Sequence, residues 1–226
     1  MSNNKMVRMP ASQQIPGIMS EMQAAAETLR EIGWAVSIFG SARLRPDSPY
    51  YAISEEIGAR LAKAGLTVIA GGGPGIMEAA NKGAFQAGGR SVGLNIKLPR
   101  EASNNQYQTH SLSFDYFYSR KATFFMHSAA YITLPGGFGT LDELFEVLTL
   151  VQTRKVPPAP IILIGTTFWA GLIDWIRDKL QGNRLIGPHD LDLITLTDDL
   201  DLVIHQIEQF CCDYARERDA APALPE

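Results

Sequence analysis

Residues 129–143 read AAYITLPGGFGTLDE. An apolar, β-rich run passes through a proline and three glycines into a segment whose Leu141, Leu144, Phe145, Leu148 and Val151 fall at i, i+3, i+4, i+7 and i+10, the period of an amphipathic helix. The stretch predicts a strand, a turn and a helix. Two readings of the turn stand side by side. In the structural one, Thr140 to Glu143 fits the capping box Ser/Thr-x-x-Glu, in which a cap contributes roughly 1 kcal/mol. In the functional one, Gly136, Gly137 and Gly139 present backbone amides to an anion, and Glu143 projects from the first helical turn beside it.

The same rhythm recurs outward from this unit. Further β-rich runs occupy 34–39, 66–70, 91–96 and 161–164, and amphipathic helices are expected near 49–64, 74–88, 117–127, 141–153 and 168–180. The segment LDLITLTD reads as a last strand, followed by a closing helix over 198–214. Strands that are apolar throughout and alternate with helices predict an α/β fold, an open parallel sheet with helices on both faces. A helix is also expected at 18–32, ahead of the first strand. The polar residues 1–14 and the small or proline-bearing residues 216–226 read as flexible ends, leaving one domain over 15–215 with no internal repeat.

The chain of 226 residues is long enough to bury a substantial core, and its formal net charge of -4 gives no general attraction to nucleic acid or to an anionic membrane. It has no run of about 18 apolar residues and no apolar leader, so neither secretion nor membrane spanning is expected. The adjacent Cys211 and Cys212 read as reduced thiols of a cytoplasmic protein. His110, His127, His189 and His205 show no ligand spacing, and no metal is expected.

In an open α/β sheet, ligands bind beyond the carboxyl ends of the strands. Three glycine-bearing turns belong to that edge: FGSAR at 39–43, AGGGPGIMEAA at 70–80, and LPGGFGTLDE at 134–143. They are not the common nucleotide loops. No Gly-Lys-Ser/Thr triplet occurs, and Ile76 stands where a dinucleotide fingerprint has its third glycine. Arg120 and Lys121 open the expected helix 117–127, where positive charge opposes the macrodipole. They are either a solvated pair or the counter-charge of an anionic substrate.

At these residues the sequence resembles the Lonely Guy family of cytokinin-activating phosphoribohydrolases. The hallmark Pro-Gly-Gly-x-Gly-Thr-x-x-Glu spans Pro135 to Glu143, with the Arg120-Lys121 pair upstream. The likeness runs from about Trp34 to the helix near Leu180, taking in FGSAR, GGGPGIMEAANKGA and LPRE, and its form is that of the longer bacterial branch. The resemblance implies a Rossmann-like fold and hydrolysis of the N-glycosidic bond of nucleoside 5'-monophosphates, giving free base and ribose 5-phosphate. It assigns Arg120 and Glu143 as the catalytic pair. Gly136, Gly137, Gly139 and Thr140 would hold the 5'-phosphate, Glu101, Lys121 and Thr149 would contact substrate, and Ser41 and Gly73 would complete the cleft wall. It implies no cofactor and a homo-oligomer of two or more subunits.

The family's older label, lysine decarboxylase, has no chemical support here. Pyridoxal chemistry needs a Schiff-base lysine with a partner for the pyridine nitrogen, and only Lys121 falls near the expected site. Two rivals remain. A carrier of the molybdenum cofactor would use the glycine turns without needing both Arg120 and Glu143. A salvage nucleosidase acting on AMP would use the same residues as a cytokinin-activating enzyme.

Overall fold

The computed structural model describes residues 10–98 and 104–220. Among them, seven strands form one sheet: β1 Ala35–Phe39, β2 Thr67–Ala70, β3 Ser91–Ile96, β4 His110–Phe114, β5 Ala130–Thr133, β6 Ile161–Leu163 and β7 Ile194–Leu196. Their order is β4-β3-β2-β1-β5-β6-β7, and every pairing is parallel. β1, β2 and β5 are buried along their whole lengths because helices cover both sides.

Alternation along the strands divides the core in two. Phe39, Ile69, Leu94, Tyr131 and Leu163 face α1 (Ala11–Thr28), α4 (Phe117–His127), α5 (Phe138–Gln152) and α6 (Thr166–Trp175), which contribute Ala25, Phe124, Val147 and Trp169. Val36, Ile38, Val68, Ile132 and Ile162 face α2 (Pro49–Lys63), α3 (Ile76–Gln86) and α7 (Leu200–Ala220), which contribute Leu61, Ala80 and Ile207. The chain is therefore a Rossmann-like α/β protein, as its strand and helix rhythm predicts.

Four boundaries differ from the sequence expectation. β4 was not expected, because its residues alternate as His110, Ser111, Leu112, Ser113, Phe114, and at the sheet edge only Leu112 and Phe114 are buried. α1 begins at Ala11, inside the segment read as a flexible end. Pro16 looks like a helix stop, yet so near the amino end it removes only one backbone bond. α7 continues to Ala220, past the expected end at 214. α5 begins at Phe138 rather than 141, and this shift changes the reading of the site.

Candidate active site

The strand order reverses between β1 and β5, which places the first and third glycine turns side by side, with the second adjacent on β2. Ser41 fastens all three. Its N–H donates to Pro135 O (3.1 Å), its own carbonyl accepts from the Ile76 N–H (3.0 Å), and its Oγ accepts from the Arg43 N–H (3.1 Å). The second turn carries left-handed backbone at Gly72 (φ +76°) and Gly75 (φ +70°), where glycine is required. A segment ahead of β4 clamps it. Asn105 Nδ2 donates to Gly72 O (3.0 Å) and Gly73 O (3.2 Å), and Gln108 Nε2 donates to Gly72 O (3.1 Å).

The third turn is not a capping box. Gly137 is the N-cap of α5 and makes no side-chain cap, so Thr140 already lies within the first turn, and Leu141 N–H bonds to Gly137 O (3.0 Å). The buried Thr140 side chain folds back over Gly136, where an added Cβ would stand 2.1 Å from Thr140 Oγ1. Gly136, Gly137 and Gly139 have no left-handed backbone, which occurs at Gly72 and Gly75 of the second turn. Open space explains Gly137 and Gly139 better: a Cβ at either would meet nothing within 4 Å. The first amides of a helix have no intrahelical partner, so the turn leaves unbonded N–H groups facing room for an anion.

Arg120 and Glu143 come together as expected. The guanidinium is buried and fixed from behind, with Nε donating to Leu94 O (2.6 Å) and Nη2 to Gly71 O (3.2 Å). Its Cζ lies 5.4 Å from the centre of the Phe124 ring. Nη1 points to Glu143 and stops 3.9 Å from Oε1, an ion-pair distance too long for a hydrogen bond. Among the described residues, no donor hydrogen-bonds the Glu143 carboxylate. Burial raises the Glu143 pKa to about 7 against the opposing pull of Arg120, with the neighbouring Asp142 and Glu146 adding to the rise and Lys121 countering it. Burial lowers the Arg120 pKa, which Glu143 partly restores.

Other expected contacts are arranged differently. Lys121 Nζ bridges Asp142 (3.0 Å) and Glu146 (2.6 Å) on α5, tying α4 to α5 beside the site. Burial opposes its charge, but Glu146 and Asp142 prevail and raise its pKa, the opposite of what a Schiff-base lysine needs. Thr149 stands on an exposed side of α5 with its hydroxyl donated to Phe145 O (2.7 Å), and it is not brought to the pair. Glu101 lies outside the described residues. Ser41 and Gly73 belong to the joined turns, through the backbone bonds of Ser41 to Pro135 and Ile76 and of Gly73 O to Asn105.

Two participants escaped the sequence reading. Leu94 acts through its carbonyl, which no side-chain pattern reveals. Gly71 makes room for the guanidinium, since a Cβ there would lie 2.4 Å from Arg120 Nη2 and 2.4 Å from Met77 Sδ. Its position within the GGG run was the available signal.

Residues 77–207 match the family model described as "Possible lysine decarboxylase". The "Cytokinin riboside 5'-monophosphate phosphoribohydrolase" of Mycobacterium tuberculosis is 34% identical over 74% of this chain and 89% of its own length. A protein of the same name from Arabidopsis thaliana, LOG1, is 29% identical over 69% of this chain and 73% of its own. Solved structures share the fold: a structural-genomics target (TM-score 0.59, 23% identity, 78% of this chain and 99% of that one), and the molybdenum cofactor binding protein of Rippkaea orientalis (TM-score 0.56, 20% identity, 78% and 96%). With its hallmark turn intact and more than half its length matched by the family model, the chain belongs to the Lonely Guy family.

Proposed function

We propose that this chain hydrolyses the N-glycosidic bond of nucleoside 5'-monophosphates, AMP or a cytokinin riboside 5'-monophosphate, releasing the free base and ribose 5-phosphate. The observation that carries the reading is the Glu143 carboxylate, on a side chain only 15% exposed, held 3.9 Å from a fixed guanidinium and bonded to no donor among the described residues. Withdrawing most of a carboxylate from water without hydrogen bonds from the protein is costly, and a packing role gives no return for it.

The chemistry follows from the placement. The 5'-phosphate sits on the amides of Gly136 to Thr140 at the amino end of α5, where the helix dipole favours an anion. Binding there is remote from the scissile bond, so it orients the sugar for reaction. As the C1'–N bond breaks, its electron pair leaves with the base and positive charge develops on the ribose. Glu143 as carboxylate stabilises that charge and takes a proton from the attacking water, whose oxygen bonds to C1'. The proton is delivered to the base. Arg120 orients Glu143 and favours its ionised form against the effect of burial, while Ser41 and Gly73 wall the cleft.

A carrier of the molybdenum cofactor has less support, since the structural likeness behind it is at the level of the fold and a carrier has no use for the strained electrostatics of Glu143. The free thiols of Cys211 and Cys212 accord with a cytoplasmic setting. Exposed Tyr118, Met126 and Phe138 on α4 and α5 support a homo-oligomer. Incubation with AMP, other nucleoside monophosphates and an isoprenyl-AMP, followed by chromatography of free base, tests the reaction and ranks the substrates. No base from any of them, alongside tight binding of a pterin, would leave the carrier reading.

A further inference from the structure

α4 begins badly on its own sequence. Its first turn contains no acidic residue, Tyr116 at the N-cap provides no side-chain bond, and Arg120 and Lys121 add positive charge at the positive end of the helix dipole. The missing anion comes from another helix. Glu21 of α1 accepts from the Asp115 N–H through Oε1 (2.7 Å) and from the Ser119 hydroxyl through Oε2 (2.5 Å). Its carboxylate therefore sits across the start of α4, bonded to the residue next to Arg120.

The approach is built into α1. An added Cβ at Gly17 would stand 2.8 Å from the Tyr116 ring, so a glycine one turn before Glu21 lets the helix lie against the residue that starts α4. Further along, Ala25 of α1 and Leu29 at its C-cap share a core cluster with Phe124 and Phe125 of α4. α1 thus grips α4 at both ends. Ser119, whose hydroxyl proton goes to Glu21, is buried with its Oγ 3.0 Å from Tyr116 O, and the Arg120 N–H bonds that carbonyl (3.2 Å).

We propose that Glu21 is a positioning residue for Arg120: by bonding the Asp115 N–H just ahead of α4 and the Ser119 side chain in its first turn it fixes the start of the helix, so that the guanidinium reaches Leu94 O and Gly71 O and holds Nη1 toward Glu143. α1 is then part of the active-site machinery rather than an appendage. The inference rests on the proposed hydrolysis for its kinetic consequence, but not for its structural one.

The test compares wild type with Glu21→Ala and Glu21→Gln. Two readouts are taken: kcat and KM for AMP well below the unfolding temperature, and hydrogen exchange at the Arg120 Nε–H followed by 15N NMR, the signal assigned by its loss in Arg120→Lys. Glu21→Ala is expected to lower kcat about tenfold or more with KM within about twofold, since small misplacements of a reacting group carry such costs, and to speed Nε–H exchange by a similar factor. Glu21→Gln, which keeps an acceptor oxygen, should recover part of both. Wild-type kcat together with unchanged Nε–H exchange in Glu21→Ala, whatever its stability, overturns the proposal. Should Glu21→Ala not fold, Ser119→Ala, which removes one of the two contacts, decides it on the same readouts. A wild-type protein that releases no base from AMP, the other nucleoside monophosphates or an isoprenyl-AMP would sink the proposed function, while the exchange measurement would still decide the role of Glu21.

Discussion

Arg120 Nη1 and Glu143 Oε1 face each other at 3.9 Å, one held from behind by two backbone carbonyls and the other with no hydrogen-bond donor among the described residues. The asymmetry assigns their parts. A guanidinium locked at Nε and Nη2 is a fixed reference, and a largely desolvated carboxylate with no hydrogen-bond donor among the described residues can exchange a proton near neutral pH.

The pH dependence follows directly. With the Glu143 pKa at about 7 and its carboxylate the reactive form, kcat/KM should rise with pH through an acid limb near that value. A rate that falls across the same range would make Glu143 a proton donor instead.

Stability should show the same group with the opposite consequence. Folded Glu143 titrates at about 7 against an ordinary 4.5, so between these values the native state holds the extra proton and its stability falls as pH rises, fully so above about 7. Glu143→Gln lacks this titration. Its unfolding temperature relative to wild type should therefore climb by several degrees between about pH 5 and pH 8, and calorimetry at the two pH values measures it. An equal offset at both would place the Glu143 pKa outside the range.

Arg120→Lys keeps the charge but not the fork. A single ammonium cannot serve Leu94 O, Gly71 O and Glu143 in one plane. We expect kcat to fall about a hundredfold or more, and stability to drop by roughly 1–3 kcal/mol because a buried carbonyl loses its donor. Steady-state kinetics and denaturant titration check both.

Gly137→Ala separates binding from folding. The backbone at Gly137 has φ -99° and a Cβ there meets no atom within 4 Å, so the protein should keep its stability to within about 0.5 kcal/mol. The methyl group would nevertheless occupy the space before the free amides of α5. KM for AMP should rise about tenfold or more while inhibition by free adenine, which has no phosphate, stays the same.

The exposed Tyr118, Met126 and Phe138 should be covered in solution. Light scattering on the eluting protein is expected to give a mass at least twice that of the 24.8 kDa chain. Tyr118→Glu together with Phe138→Glu should lower it, and a wild-type mass of one chain would remove the homo-oligomer from the account.

The sequence exposed the parts of this fold that repeat. Apolar strands such as AVSIF and TVIA read as central and parallel, and their order with the helices puts three glycine turns on one edge. β4 was illegible because an edge strand buries one side alone, and HSLSF looks like a polar loop. Arg120 and Glu143 were legible as a pair from the family hallmark, but their anchoring was not: Leu94 contributes a carbonyl, Gly71 an absent Cβ, and Glu21 a cap from a distant helix. Thr140 misled because a Ser/Thr-x-x-Glu pattern fits a cap wherever it falls, whereas the structure starts the helix at Phe138 and leaves Glu143 free of that duty.

The most direct test is single-turnover incubation of wild type and Glu143→Gln with AMP and with an isoprenyl-AMP, following free base by chromatography and nucleotide binding by calorimetry. The account predicts base release by wild type from at least one of these nucleotides, and a Glu143→Gln protein that binds the nucleotide with similar affinity but releases base at least about a thousandfold more slowly. Full base release by Glu143→Gln would contradict it and return Glu143 to a structural role.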